Sequence, residues 1–313
     1  MNHKIVLQFL SILVHKIAKI IKKQGIIRTF KKIWIYEIAG RFRNFYWRQL
    51  LKKSKENFVT FAKVRGHKMA LYLSNNEISN ALFIYGSYEE NETEILERII
   101  KRGDVVVDIG ANIGYYTLIF ARLVGKDGKV FAFEPEPTNF KLLKINVLKN
   151  GYDNVIFERK AVTHKTNSVK LYVSDKPGNH RIYESTNNPN FLIVDSISLD
   201  DYFNNLNEKN KINVIKMDIE GAEYAAFKGM TSLLLNNPNV KIVTEFNPER
   251  LKAAGINPKK YLRILFKYRF SLYDIKRKVR VGISDIPKFL EFYKYSATNL
   301  LCWRNSKLSA EAC

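Results

Sequence analysis

The stretch from Val105 to Glu134, VVVDIGANIGYYTLIFARLVGKDGKVFAFE, constrains the fold more than any other part of the chain. Val105, Val106, Val107 and Ile109 form the short β-branched run of a parallel strand covered by helices on both faces, with Asp108 interrupting it near its C-terminal end. Gly110 and Gly114 bracket Ala111, Asn112 and Ile113, and glycine there lets the backbone turn sharply and approach a ligand without a Cβ in the way. The spacing predicts a helix from Tyr115 to Val124, stopped by Gly125 and Gly128, and then a second strand from Lys129 to Glu134.

In doubly wound sheets ligands sit outside the carboxyl ends of the strands, and an acid closing the second strand binds ribose hydroxyls. Glu134 stands in that position. A dinucleotide site expects G-x-G-x-x-G, whose helix N-terminus faces a pyrophosphate. This chain reads D-x-G-x-N-x-G instead: Asn112 and Tyr115 replace the second and third glycines, and Asp108 precedes the first. A carboxylate there repels a pyrophosphate and attracts the cationic amino-acid portion of S-adenosylmethionine. S-adenosylmethionine is therefore favoured over NAD, and an NAD-dependent oxidoreductase is the weaker alternative.

At 313 residues with 46% hydrophobic content the chain can bury a substantial core. Its net charge of +22 is unevenly placed, the first sixty residues holding fourteen Lys or Arg against two Glu. The apolar run from Ile5 to Val14 is broken by His15, Lys16, Lys19, Lys22 and Lys23, short of the ~20 residues that span a bilayer. On a helix, Val6, Leu10, Leu13, Ile17, Ile20 and Ile21 oppose those polar positions, although Ile5 and Ile12 stray. Residues 1–57 thus read as a basic amphipathic helical arm, with residues 1–50 suited to an anionic membrane surface. An arm docked on the core competes with this reading. Nucleic-acid binding ranks lower, since no compact nucleic-acid module is visible. Cys302 and Cys313 are too few for a disulfide framework or thiolate metal site, which fits a cytoplasmic setting, peripheral at the inner membrane face.

After the arm, Phe58 to Lys63 and Lys68 to Leu73 read as short strands of a β-rich lid, and Asn91 to Ile100 as an entry helix. From Asp104 to Phe246 strands and helices alternate, predicting a mainly parallel sheet. Pro137 opens a helix that Asn150-Gly151 ends, and Asn154 to Glu158 is the third strand. Val169 to Val173 and Phe191 to Ser196 are read as β structure around a polar loop with His180, placed near substrate. Val214 to Asp218 is the next buried strand, followed by Ile219-Glu220-Gly221-Ala222-Glu223. Asp218, Glu220 and Glu223 then cluster at the strand edge, where a carboxylate can orient or deprotonate a hydroxyl, although Glu220 or Glu223 could equally complement a helix dipole. Lys216 shares a face with Asp218 if the strand is regular, and Glu245 ends a further strand. Leu272 to Ile275 and Asn299 to Trp303 are predicted as a hairpin-like pair at one end of the sheet.

Taken in order, VVVDIGANIGYYT, FAFEPEPTNFKLLKINVLKNG, VDSISLDDYF and VIKMDIEGAEYAAFKGM resemble the FkbM family of S-adenosylmethionine-dependent methyltransferases, over roughly Asp104 to Phe246. The resemblance implies a class I methyltransferase (Rossmann-like) α/β fold, a seven-stranded mainly parallel sheet of order 3-2-1-4-5-7-6 with helices on both faces. It also implies O-methyl transfer to sugars and related hydroxylated products. Carried over by motif, Asp108, Gly110, Asn112 and Gly114 would contact the methionine part of the cofactor, Glu134 its ribose, and Pro135 with Glu136 the adenine edge. The resemblance places Asp218 to Glu223 beside the reacting centre and lets the loop around His180 face substrate, with His180 a candidate base.

The expectation is an O-methyltransferase domain over 58–307, its cofactor core at 104–246 and a tail at 308–313, acting on a sugar of a glycan or glycolipid. Displacement at a sulfonium needs alignment and proton removal, and no metal is required; Asp218, Glu220 and Glu245 are the set that could in principle hold a divalent ion. A non-catalytic membrane or nucleic-acid binding protein keeping a methyltransferase-like core is the third reading. No segment fixes the acceptor.

Overall fold

The computed structural model describes residues 58–73, 77–174, 180–183, 190–206 and 211–304. The basic arm, the tail and most of the polar loop around His180 lie outside the described residues.

Eight strands form the main sheet: β3 (Val105–Ile109), β4 (Lys129–Phe133), β5 (Val155–Glu158), β9 (Ile212–Met217), β10 (Lys241–Phe246), β11 (Ser271–Asp274), β12 (Val279–Val281) and β13 (Thr298–Trp303). Their order is β12-β11-β13-β10-β9-β3-β4-β5. The strands from β5 to β10 are parallel, while β13, β11 and β12 are antiparallel to their neighbours. The order therefore matches the expected class I methyltransferase arrangement, with β12 as an added edge. The terminal hairpin is β11 with β12, because Lys278 at φ 57 lets the chain fold back. Strand β13 still pairs with β11, Ser271 opposite Trp303, but only after β12 and a helix intervene. The charged run Lys276 to Arg280 carries no apolar alternation, so the sequence hid the extra strand.

Alternation along the strands divides the core in two. Val106, Val130, Val214 and Val243 pack on one face of the sheet; Val107, Phe131, Ile215 and Ile242 pack on the other. The first face is covered by α2 (Glu90–Ile99), α3 (Tyr115–Val124) and α4 (Pro137–Lys149). The helix α4 starts on Pro137, with Glu136 as N-cap accepting from Asn139 N at 2.6 Å.

One expectation changes. Strands β1 (Phe58–Val64) and β2 (His67–Leu73) form a hairpin clasped to α4 rather than a lid. Buried Asn146 accepts from Ala70 N at 2.6 Å and donates to Ala70 O at 3.1 Å, and Tyr152 Oη lies 2.8 Å from His67 Nε2. What lines the site on this side is the segment after it, from α1 (Glu77–Tyr85) through Tyr88 and Glu89. The two segments read as β structure are strands, β7 (Asn167–Tyr172) and β8 (Phe191–Ile197), which join β6 (Ala161–Val162) in a separate sheet of order β6-β8-β7. Phe191, Leu192 and Ile193 remain exposed there, so their apolar run is not a core signal.

Candidate active site

Two cavities open at the carboxyl ends of the parallel strands, and Gly110, Asn112, Asp218 and Glu220 line both. The turn after β3 makes this possible. Gly110 sits at φ 82 and Asn112 at φ 51, the left-handed region that glycine and asparagine tolerate. A Cβ on Gly110 would collide with the Asp218 carbonyl oxygen, so this glycine is needed for the turns after β3 and β9 to meet.

The first cavity runs past Glu134 and Pro135 toward Lys160 and Ala161. Glu134 is 5% exposed and held by backbone: Asn112 N donates to one carboxyl oxygen at 2.8 Å and Glu136 N to the other at 2.9 Å. Burial pushes its carboxyl up to about 7, against the pull of those two N–H groups. His180 lines this cavity and not the second; its Nδ1 accepts from Ser174 N at 3.2 Å, and burial lowers its basicity.

Three expected ligand residues are engaged elsewhere. Asp108 is fully buried beneath the turn, accepts from Thr117 Oγ1 at 2.6 Å, and lines neither cavity. It lies opposite Lys216 across β3 and β9, and burial raises its pKa. Glu136 caps α4. Gly114 lines neither cavity either; it is the αL N-cap of α3 against Leu143.

The second cavity is walled by ionisable groups. Asp218 ends the β9 segment with its side chain 31% exposed, and Lys216 Nζ donates to it at 3.3 Å. Lys216 also lies 4.5 Å from the Tyr116 ring centroid. Burial alone would lower the Lys216 pKa, but Asp218, Glu92 and Asp108 outweigh it and keep the ammonium charged. Arg250, in α8 (Pro248–Ala253), bonds both oxygens of Glu245 at 3.1 and 3.2 Å and pairs with Glu220. Burial and mutual repulsion raise both glutamates while Arg250 stays charged, so one guanidinium does not fully ionise the pair. Glu89 accepts from Tyr116 Oη at 3.1 Å on the opposite wall.

Glu223, expected beside the reacting group, turns back into the loop. It is 1% exposed and accepts from Ile219 N at 3.1 Å and Gly221 N at 3.2 Å at the start of α6 (Glu223–Lys228). Its carboxylate satisfies N–H groups of that turn that would otherwise be orphaned at the helix start. Of the set considered for a divalent ion, Glu220 and Glu245 already share Arg250, and among the described residues no group of three or more His, Cys, Asp or Glu is arranged to hold a metal. Sequence reasoning missed Arg250, Glu89 and Tyr116. Arg250 alone left a signal, a cation in the first turn after the Asn247-Pro248 cap, close to Glu245.

The sequence profile described as "Methyltransferase FkbM domain" matches residues 108–295. The chain belongs to the FkbM methyltransferase family. A second profile, for protein-L-isoaspartate(D-aspartate) O-methyltransferase, matches residues 50–161. The chain is 30% identical over 183 residues to the hexuronic acid methyltransferase AglP of Haloferax volcanii, spanning 58% of this chain and 70% of that protein. It is 43% identical over 51 residues to the 31-O-demethyl-FK506 methyltransferase FkbM of Streptomyces tacrolimicus, 16% of this chain and 19% of that one. Among solved structures it is similar to a SAM-dependent O-methyltransferase of Thermotoga maritima, at 13% identity and a TM-score of 0.40 over 80% of this chain and 79% of that one.

As an FkbM methyltransferase the chain is an enzyme that uses S-adenosylmethionine. The residues fit that cofactor: the turn at Gly110 leaves no side chain in the cradle, and Glu134 presents a carboxyl already fixed by two N–H groups. The nicotinamide alternative is not favoured. Among the described residues no helix is long and apolar enough to cross a membrane.

Proposed function

We propose that this enzyme methylates a hydroxyl group of a sugar in a glycan or glycolipid, with Asp218 accepting the hydroxyl proton. The observation that carries this reading is the sharing of Gly110, Asn112, Asp218 and Glu220 by the two cavities. Cofactor and acceptor then occupy one cavity each and meet at Asp218. Bound S-adenosylmethionine supplies an electrophilic methyl group on a sulfonium, a good leaving group that departs as a neutral thioether.

The protein's own groups divide the remaining work. Glu134 binds the ribose hydroxyls and, with Pro135, fixes the cofactor end of the first cavity. Asp218 orients the acceptor hydroxyl and takes its proton, with Lys216 Nζ donating to its carboxylate. Arg250 with Glu220 and Glu245 offers hydrogen-bonding groups to neighbouring hydroxyls. His180 lies on the cofactor side, so it serves the first cavity rather than the acceptor. A wall of charged groups suits a polyol better than an apolar ring, and a relative named for hexuronic acid supports a sugar acceptor.

The test is methyl transfer from labelled S-adenosylmethionine to a panel of neutral, acidic and amino sugars and membrane-extracted glycans. Label in a base-stable ether on sugar is the expected result; label confined to esters or to non-carbohydrate material would sink the reading. The basic arm is read as holding the enzyme at an anionic membrane surface, where a glycolipid acceptor would reside. Deleting residues 1–50 should abolish sedimentation with anionic liposomes and leave cofactor affinity unchanged, and equal sedimentation of both forms would refute it.

A further inference from the structure

Beyond Glu89 and Glu245 the second cavity meets a third, which shares both residues. It lies between the start of α2, the end of β10 and the segment around Lys276 and Thr298. Four carboxylates line it, those of Glu89, Glu90, Glu92 and Glu245, against one cation, the exposed Lys276.

Three of these acids have partners. Glu89 accepts from Tyr116 Oη and, at 3.4 Å, from Asn299 Nδ2; Glu90 pairs with Arg65 at 2.6 Å; Glu245 pairs with Arg250. Glu92 differs. Its side chain is buried, the residue being 3% exposed, and among the described residues its Oε2 has no hydrogen-bond partner. A buried carboxyl oxygen without a donor costs stability, and burial beside Glu89 raises the pKa of this group strongly. An ammonium group answers both deficits, because its N–H donates to the oxygen and its charge restores the carboxylate. An anionic acceptor meets only the exposed Lys276 against four carboxylates, since Lys216 and Arg250 are already paired with Asp218, Glu220 and Glu245.

Resting on the sugar-methyltransferase reading above, we infer that the third cavity is an acceptor subsite that seats an amino sugar, its ammonium group against Glu92, and disfavours uronic acids. The acceptor then spans two cavities: the hydroxyl to be methylated lies at Asp218 and the amine beyond Glu89. This differs from the hexuronic acid for which the relative AglP is named.

The experiment titrates glucosamine, glucose, glucuronic acid and ethanolamine into the full chain saturated with S-adenosylhomocysteine, with binding read by ligand-observed NMR. Glucosamine should bind roughly tenfold more tightly than glucose, with glucuronic acid weakest, as a charge-assisted contact requires. Glu92→Gln should bring glucosamine down to the level of glucose, with S-adenosylhomocysteine affinity as the control for folding. The surface variant Lys276→Glu should strengthen glucosamine binding severalfold. Equal binding of the three sugars, or a preference that survives Glu92→Gln, overturns the subsite. Ethanolamine binding as tightly as glucosamine overturns the sugar part of the proposal. Methyl transfer read in parallel separates the two readings. Transfer to carbohydrates without amine preference sinks the subsite alone, whereas Glu92-dependent glucosamine binding with no transfer to any carbohydrate sinks the sugar-methyltransferase reading.

Discussion

Glu134 and Glu245 both lie at the carboxyl ends of parallel strands in one sheet, and they are held in different ways. Glu134 is fixed by two backbone N–H groups from the turns beside it. Glu245 is fixed by Arg250, a side chain that also reaches Glu220 across the gap between two loops. Backbone donors come with the fold and cannot be mutated away, so the first cavity is built to stay the same. Side-chain pairs can be exchanged without disturbing the sheet, so the second cavity is the one that substitution can reshape. The difference teaches that the first cavity's acid is set by main chain and the second cavity's by an ion pair.

The sharpest way to break this comparison is Asp218→Asn, at the point where the cavities meet. Methyl transfer should fall roughly 1,000-fold, within the range for loss of a general base, while cofactor affinity is retained. Single-turnover kinetics with labelled cofactor measures it. A fall of less than about tenfold would return the proton to another group, with Glu220 next in line.

Arg250→Met tests the side-chain half. It leaves the largely buried Glu220 and Glu245, their side chains 13% exposed, without their cation, and breaking such a pair from one side costs up to about 3 kcal/mol. Urea unfolding should show that loss at pH 8 and a smaller one at pH 5, where protonated glutamates need no counter-charge. Equal stability at both values would mean that Arg250 does not neutralise the pair.

Glu134→Ala tests the backbone half. Removing the ribose acceptor should weaken S-adenosylmethionine roughly 10–100-fold by calorimetry, the usual scale for hydrogen bonds to a charged group. The same variant should leave the amino-sugar preference of the third cavity intact. Loss of both would show that the cavities are not separable.

The same contrast decides what could be seen in the sequence. The strand, turn, helix and acid from Val105 to Glu134 lie within one local segment, so periodicity and glycine spacing reveal them. Lys216 with Asp218 was legible for the same reason, two residues apart on one strand face. The wall made by Glu89, Tyr116 and Arg250 joins residues far apart in the chain, and no local pattern encodes their meeting. Asp108 and Glu136 show what local pattern leaves out. Their sequence positions suit a ligand, but a strand interior closes over the first and a helix N-terminus needs the second.

The smallest effect on cofactor binding is the pH dependence set by Glu134. Burial raises Glu134 from its ordinary 4.5 to about 7, despite its two N–H donors. The folded protein therefore binds a proton that the unfolded chain gives up, and stability of the cofactor-free enzyme falls as pH rises from about 4.5 to about 7, at up to about 1.4 kcal/mol per unit. Cofactor binding has the opposite sign, because the ionised carboxylate is the better acceptor for ribose hydroxyls. If only that form accepts them, affinity for S-adenosylmethionine should rise about tenfold between pH 6 and pH 8. Calorimetry across that range, repeated on Glu134→Gln, measures both the rise and its source. A rise that persists in the variant would move the titration to another group and leave Glu134 with a structural role only.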